Sequence, residues 1–169
     1  MNLRSKFLVF IIVCISACTQ KPTQLTEQQV ATSWAKMALF LTKNTPANTP
    51  TYASRCFGYI GLTMYESIVA GYPDHNSVAS ELNGLTNLPK IESNKTYDWV
   101  LSLNAGQAQI LRTIYNQTSD INKVKIDSLE KVIYKQFADN QKDTKVIERS
   151  VTYGKSVANT IFEWSKTDG

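Results

Sequence analysis

Ala53-Ser54-Arg55-Cys56-Phe57-Gly58-Tyr59-Ile60-Gly61-Leu62-Thr63-Met64-Tyr65-Glu66-Ser67-Ile68-Val69 is the stretch on which the fold reading turns. Phe57, Ile60, Met64 and Ile68 recur at helical spacing and make one apolar stripe, with Tyr52, Tyr59 and Leu62 beside it. Thr49-Pro50 starts this helix, because proline at the first helical position lacks only an N–H that would have no partner there. Gly71-Tyr72-Pro73 stops it. Gly58 and Gly61 each cost about 1 kcal/mol against alanine inside a helix, so the sequence predicts that another backbone packs closely against them.

The same period extends outward in both directions. Thr26-x-x-Gln29 reads as a capping box, followed by Val30, Trp34, Met37, Ala38 and Leu41 on a helix ending near Asn44. Residues 73–95 read mostly as loop, broken by Asn83-Gly84 and Leu88-Pro89. A third helix is expected over Thr96–Tyr115, with Val100, Leu103, Leu111 and Ile114 on one face and tight contact at Asn104-Ala105-Gly106. Ser119-Asp120 opens a fourth, whose core face is Ile126, Leu129, Ile133 and Phe137. Asp143 opens a fifth, with Ile147, Val151, Gly154, Ala158, Ile161 and Phe162 inward. No segment alternates with period two for long enough to be a strand. The fold class is therefore all-α, a bundle of about five helices.

The N-terminus carries a different message. Arg4 and Lys6 precede the nine-residue apolar run Phe7–Ile15, which is too short for a membrane-spanning helix of roughly 20 residues but suits a signal peptide. Ile15-Ser16-Ala17-Cys18 resembles a bacterial lipobox, with the Cys18 thiol as the acceptor of a diacylglyceryl group. The expected organisation is a lipoprotein signal peptide over 1–17, a lipidated tether over 18–25 and a helical domain over 26–169. Acyl chains on Cys18, at about 0.8 kcal/mol per buried methylene, would hold the protein on a membrane in the cell envelope, on the periplasmic or outer-membrane side.

Charge and residue counts exclude several classes. Of 18 basic residues, Arg4 and Lys6 lie in the segment to be removed, so 16 basic groups face 14 acidic ones. That balance, without a run of Lys and Arg interleaved with aromatics, argues against nucleic acid as a partner. Once Cys14 leaves with the signal and Cys18 is lipidated, Cys56 stands alone and reads as a buried inert thiol. The single histidine, His75, lies in turn-rich Gly71-Tyr72-Pro73-Asp74-His75-Asn76 and reads as a solvated loop residue; an enzyme built on His75 with Asp74 is the least favoured reading. Asp139-x-Gln141-x-Asp143 fails as a calcium loop, since Thr144 stands where glycine is needed. No metal site and no catalytic residue are therefore assigned. Arg55 and Glu66 are the candidate ion-pair or pocket residues. Eleven positions apart, they share a helix face about 16 Å apart, so each is expected to pair with another helix and not with its fellow.

The stretch 53–69 resembles a helix of the vanadium-dependent haloperoxidases and the related type 2 phosphatidic acid phosphatase (PAP2) family. Leu82-Asn83-Gly84-Leu85, Leu88-Pro89, Tyr97-Asp98-Trp99, Asn104-Ala105 and the run from Gly154 through Ser165 continue the resemblance in order. It implies the N-terminal helical half of a lipoprotein member of that family. The family's oxyanion pocket uses a Lys, an Arg-Pro, a Pro-Ser-Gly-His segment and a later Arg with a catalytic His, none of which occurs here. The resemblance thus implies a scaffold, itself without a cofactor, whose vanadate or phosphate is held by a C-terminal region beyond Gly169. The helices of that region and the membrane at Cys18 are the expected partners, and a homo-oligomer is left open. The competing reading is a complete small membrane-anchored lipoprotein that binds a partner through exposed Tyr72, Trp99 and Trp164.

Overall fold

The structure, a computed structural model, describes residues 24–168. The expected signal peptide, Cys18 and most of the tether lie outside the described residues. Five helices follow in chain order: α1 (Glu27–Asn44), α2 (Pro50–Glu66), α3 (Trp99–Ile114), α4 (Asp120–Gln141) and α5 (Thr144–Ser165). There is no strand among the described residues. Two single 3-10 turns, Val69–Gly71 and Ala79–Glu81, punctuate the long loop between α2 and α3.

Local chemistry sets most helix ends. Thr26 and Gln29 form the reciprocal capping box, Thr26 N–H donating to Gln29 Oε1 at 2.9 Å and Gln29 N–H to Thr26 Oγ1 at 3.2 Å. Thr49 caps α2 with Pro50 in its first turn, Ser119 caps α4 and Asp143 caps α5. The third helix begins three residues later than its apolar pattern suggests. Asp98 is its cap, accepting from Leu101 N–H at 3.0 Å, and Thr96 and Tyr97 remain extended loop.

Helix α3 is the axis of the bundle. Twelve of its 16 residues are buried, including polar Ser102, Asn104 and Gln107. Its main partner is α5, followed by α4, α2 and α1. At the α3–α5 crossing the two backbones touch: a Cβ on Gly154 would lie 2.8 Å from the Ser102 carbonyl carbon, and one on Gly106 would lie 3.1 Å from Gly154 O. The buried polar groups of α3 then need partners, because an unpaired one costs about 1–3 kcal/mol. Trp34 Nε1 donates to Asn104 Oδ1 at 3.0 Å, Asn104 Nδ2 to Glu130 O at 3.0 Å, Gln107 Nε2 to Ile60 O at 3.1 Å, and Ser102 Oγ to Ser67 O at 2.6 Å. Side chains of the central helix thereby tie α1, α2 and α4 to it.

Three expectations from the apolar pattern need correction. Gly58 and Gly61 have nothing near the position of a missing Cβ, so the tight contact predicted there is absent and both face open space. The buried stripe of α2 is Ala53, Cys56, Ile60, Thr63 and Glu66, while Phe57 is exposed. On α5 the inward positions are Val146 and Ser150, one residue before Ile147 and Val151, because Ser150 Oγ accepts Asp98 N–H at 2.8 Å. A specific polar bond there outweighs a purely apolar register.

Candidate functional site

Arg55 and Glu66 stand at opposite ends of α2, and the structure puts them in different surroundings. Arg55 is half-exposed. Its guanidinium donates to Tyr59 Oη at 2.8 and 3.1 Å, one turn on, and to the Asp168 carbonyl; the Asp168 carboxylate is 3.9 Å away. Tyr59 Oη completes the set by donating to Asp168 Oδ2 at 3.1 Å. Arg55 thus ties α2 to the segment after α5, and its partner is a residue beyond the helix end, not one on another helix as expected.

The Arg55 end opens on a groove of about 510 Å³ along the outer face of α2. Its floor is Gly58, Gly61 and Leu62; its walls are Tyr65, Val78 and Leu82 on one side and Trp164 on the other. The glycines have a use here: without side chains they let the groove reach the helix backbone. Trp164 is held by its indole N–H, which donates to Asn83 O at 3.0 Å, and it meets the Tyr59 ring edge-on at 5.9 Å. The surface is overwhelmingly apolar apart from Arg55 and Asp168.

Glu66, by contrast, is buried, with 2% of its surface exposed. Its Oε1 accepts the backbone N–H of Val78 at 2.9 Å. No other described group donates to the carboxylate, and no described cation lies within ion-pair distance. The expected pairing with another helix is therefore replaced by one bond to the loop. Tyr153 on α5 lies against the same turn and donates its hydroxyl to the Glu66 carbonyl at 3.4 Å. Burial first, then the neighbouring Glu66 and Tyr97, push the Tyr153 phenol up to about 12, so it stays a donor at neutral pH.

A more polar hollow lies across Tyr153, lined by Lys90, Glu92, Tyr97, Lys145, Glu148 and Arg149. Arg149 donates to Thr96 O at 2.7 Å, lies 3.5 Å from Glu92 Oε1 and covers the Tyr97 ring at 5.6 Å. Its charge is thus already engaged. The hollow's lining thus mixes three cations with two carboxylates and includes no histidine, so it offers no imidazole as nucleophile or ligand.

The remaining candidates resolve simply. Cys56 is buried, and burial pushes its thiol up, which makes it inert. His75 is exposed and meets Tyr72 edge-on at 6.1 Å. Of the aromatics expected on the surface, only Tyr72 is exposed; Trp99 stacks on Tyr97 at 5.2 Å, and Trp164 is packed in the groove wall. The sequence reading missed Trp164, Val78 and Leu82 as groove walls, Tyr153 beside Glu66, and Asn104 and Gln107 as core ties. Polar residues inside the apolar pattern of α3 were the available signal for the last two.

Comparison with known proteins gives one informative match. The chain is similar to the crystal structure of a bacterial vanadium-dependent iodoperoxidase, with a TM-score of 0.66 and 24% identity over 88% of this chain and 34% of that one. The likeness establishes a haloperoxidase-like helical fold, and the chain spans about a third of the length of the protein it resembles. No protein-family model matches the chain, and the curated proteins give no match.

Proposed function

We propose that this chain is the helical scaffold of a PAP2/haloperoxidase-like lipoprotein, anchored in the cell envelope through Cys18, with the oxyanion chemistry residing in helices outside residues 1–169. The observation that carries this reading is a disparity: the fold likeness takes in 88% of this chain but 34% of a vanadium iodoperoxidase. The polar hollow supports it, since its Arg149 is already paired with Glu92 and no histidine is among its lining residues.

In this reading the scaffold contributes rigidity and shape. The α3–α5 crossing fixes the bundle, and the apolar groove along α2 receives a helix of the catalytic region, its glycines admitting that helix close to the backbone. Vanadate or phosphate, if held by that region, would supply the redox or ester chemistry; no step of it is assigned to residues of this chain.

The test is the chain's own activity. The full chain, expressed and processed in a bacterial host, is supplied with vanadate, hydrogen peroxide and iodide, and separately with p-nitrophenyl phosphate. Neither reaction is expected to exceed the protein-free rate. Turnover of either substrate that tracks the pure chain would overturn the proposal. Fatty-acid labelling of the wild type but not of Cys18→Ser is the matching result for the anchor, and equal labelling of both would remove the anchor from the account.

A further inference from the structure

The cavity beside Glu66 lies apart from the α2 groove and has a composition of its own. It is an open cavity of about 520 Å³, within the range of about 300–1,000 Å³ typical of small-molecule sites. Val69, Ala79, Leu85, Leu88 and Ile91 give it apolar walls, and Glu66 lies among them. Removing a carboxylate from water without a counter-charge is expensive, several kcal/mol even after relaxation. Glu66 has one backbone donor on Oε1 and none on Oε2 from any described group. Lys90 and His75 border the same cavity, but both are exposed and neither bonds to Glu66. Glu66 thus keeps one carboxylate oxygen without a described donor beside a space large enough for a ligand.

We infer that this cavity binds a primary organic ammonium carried on an apolar body, with the ammonium on Glu66 Oε2. Three features select that class. Calcium and magnesium take about six or more oxygen ligands and zinc about four ligands, whereas Glu66 and His75 alone among the cavity's lining residues are of metal-ligating type, and the described residues hold no group of three such residues. A guanidinium is best satisfied by both oxygens of a carboxylate, and Oε1 is already engaged by Val78 N–H. An ammonium can place one of its three N–H donors on Oε2 and leave the others to water at the open side of the cavity, while an apolar body fills the walls by displacing water. Tyr153 also lines the cavity and brings an aromatic ring to it.

Benzylammonium and its neutral counterpart benzyl alcohol are the probes, titrated calorimetrically into the full processed chain. Wild type should bind the ammonium about tenfold to a hundredfold more tightly than the alcohol, the range of one charge-assisted hydrogen bond. Glu66→Gln keeps an oxygen for Val78 N–H and should erase that preference. Leu88→Trp fills the cavity from a half-buried wall position and should abolish binding of both probes, which provides a decision should Glu66→Gln fail to fold. Equal affinity for the two probes in wild type, an undiminished preference in Glu66→Gln, or retained binding in folded Leu88→Trp would each overturn the inference.

Discussion

Gly58 and Gly61 on α2 face open space, whereas Gly106 on α3 and Gly154 on α5 sit where two helix backbones meet. All four lie mid-helix and carry the same intrinsic penalty of about 1 kcal/mol. At the α3–α5 crossing that penalty is offset by close packing of the two helices, with Ser102 Oγ and Ser150 Oγ hydrogen-bonded beside it and Ser67 Oγ left without a partner. On α2 nothing within the described residues offsets it; what the glycines produce is a bare, apolar groove. One face is closed by the chain's own helices, and the other is left as an open apolar groove.

The comparison can be broken most forcefully at Gly154. A Cβ there would overlap the Ser102 carbonyl, a backbone atom that cannot rotate away. Gly154→Ala should lose about 3 kcal/mol or more of stability by chemical denaturation. Gly106→Ala should lose less, because its nearest obstacle, Ser67 Oγ at 2.5 Å, is a side chain that can turn aside, while Gly154 O at 3.1 Å must shift only slightly.

Next in size is the tie between α1 and the axis. Trp34→Phe removes the indole donor at 3.0 Å from Asn104 Oδ1 and leaves a buried carbonyl oxygen without a partner. A loss of about 1–3 kcal/mol is expected, and Asn104→Leu added to Trp34→Phe should recover part of it. Absence of any coupling between the two substitutions would show that the bond does not hold α1 to α3.

The smallest effect has the opposite sign. Gly61→Ala should stabilise the isolated chain by about 0.5–1 kcal/mol, since the added methyl meets nothing. A destabilisation would mean that the α2 face is closed in solution by something packed on it.

These glycines also show what could be read from the sequence and what could not. The helix starts at Thr26, Thr49-Pro50, Ser119 and Asp143 were legible because capping is settled within four residues of chain. The all-α class followed from periodicity, and the resemblance to the haloperoxidase family was matched by the fold likeness. Which glycines touch a neighbour was not legible, because that depends on where a distant helix crosses. Gly106 was read correctly, and Gly58 and Gly61 were not. On α5 Gly154, Ala158 and Ile161 were read correctly as inward, but Ile147 and Val151 were not, for the same reason: Ser150 is turned inward by Asp98, 52 positions away. Arg55 was expected to pair with another helix, but its partner, Asp168, lies in the segment after α5. Glu66 was expected to meet a helix, but its partner is the Val78 amide of a loop whose path the sequence did not define.

The central claim is that this helical unit holds shape without gripping an oxyanion. The most direct measurement is the vanadium-51 NMR spectrum of vanadate titrated with the full processed chain. The account predicts that the free vanadate line keeps its position and width at saturating protein. A shifted or broadened line that reverts when Lys145 or Arg149 is changed to alanine would contradict it.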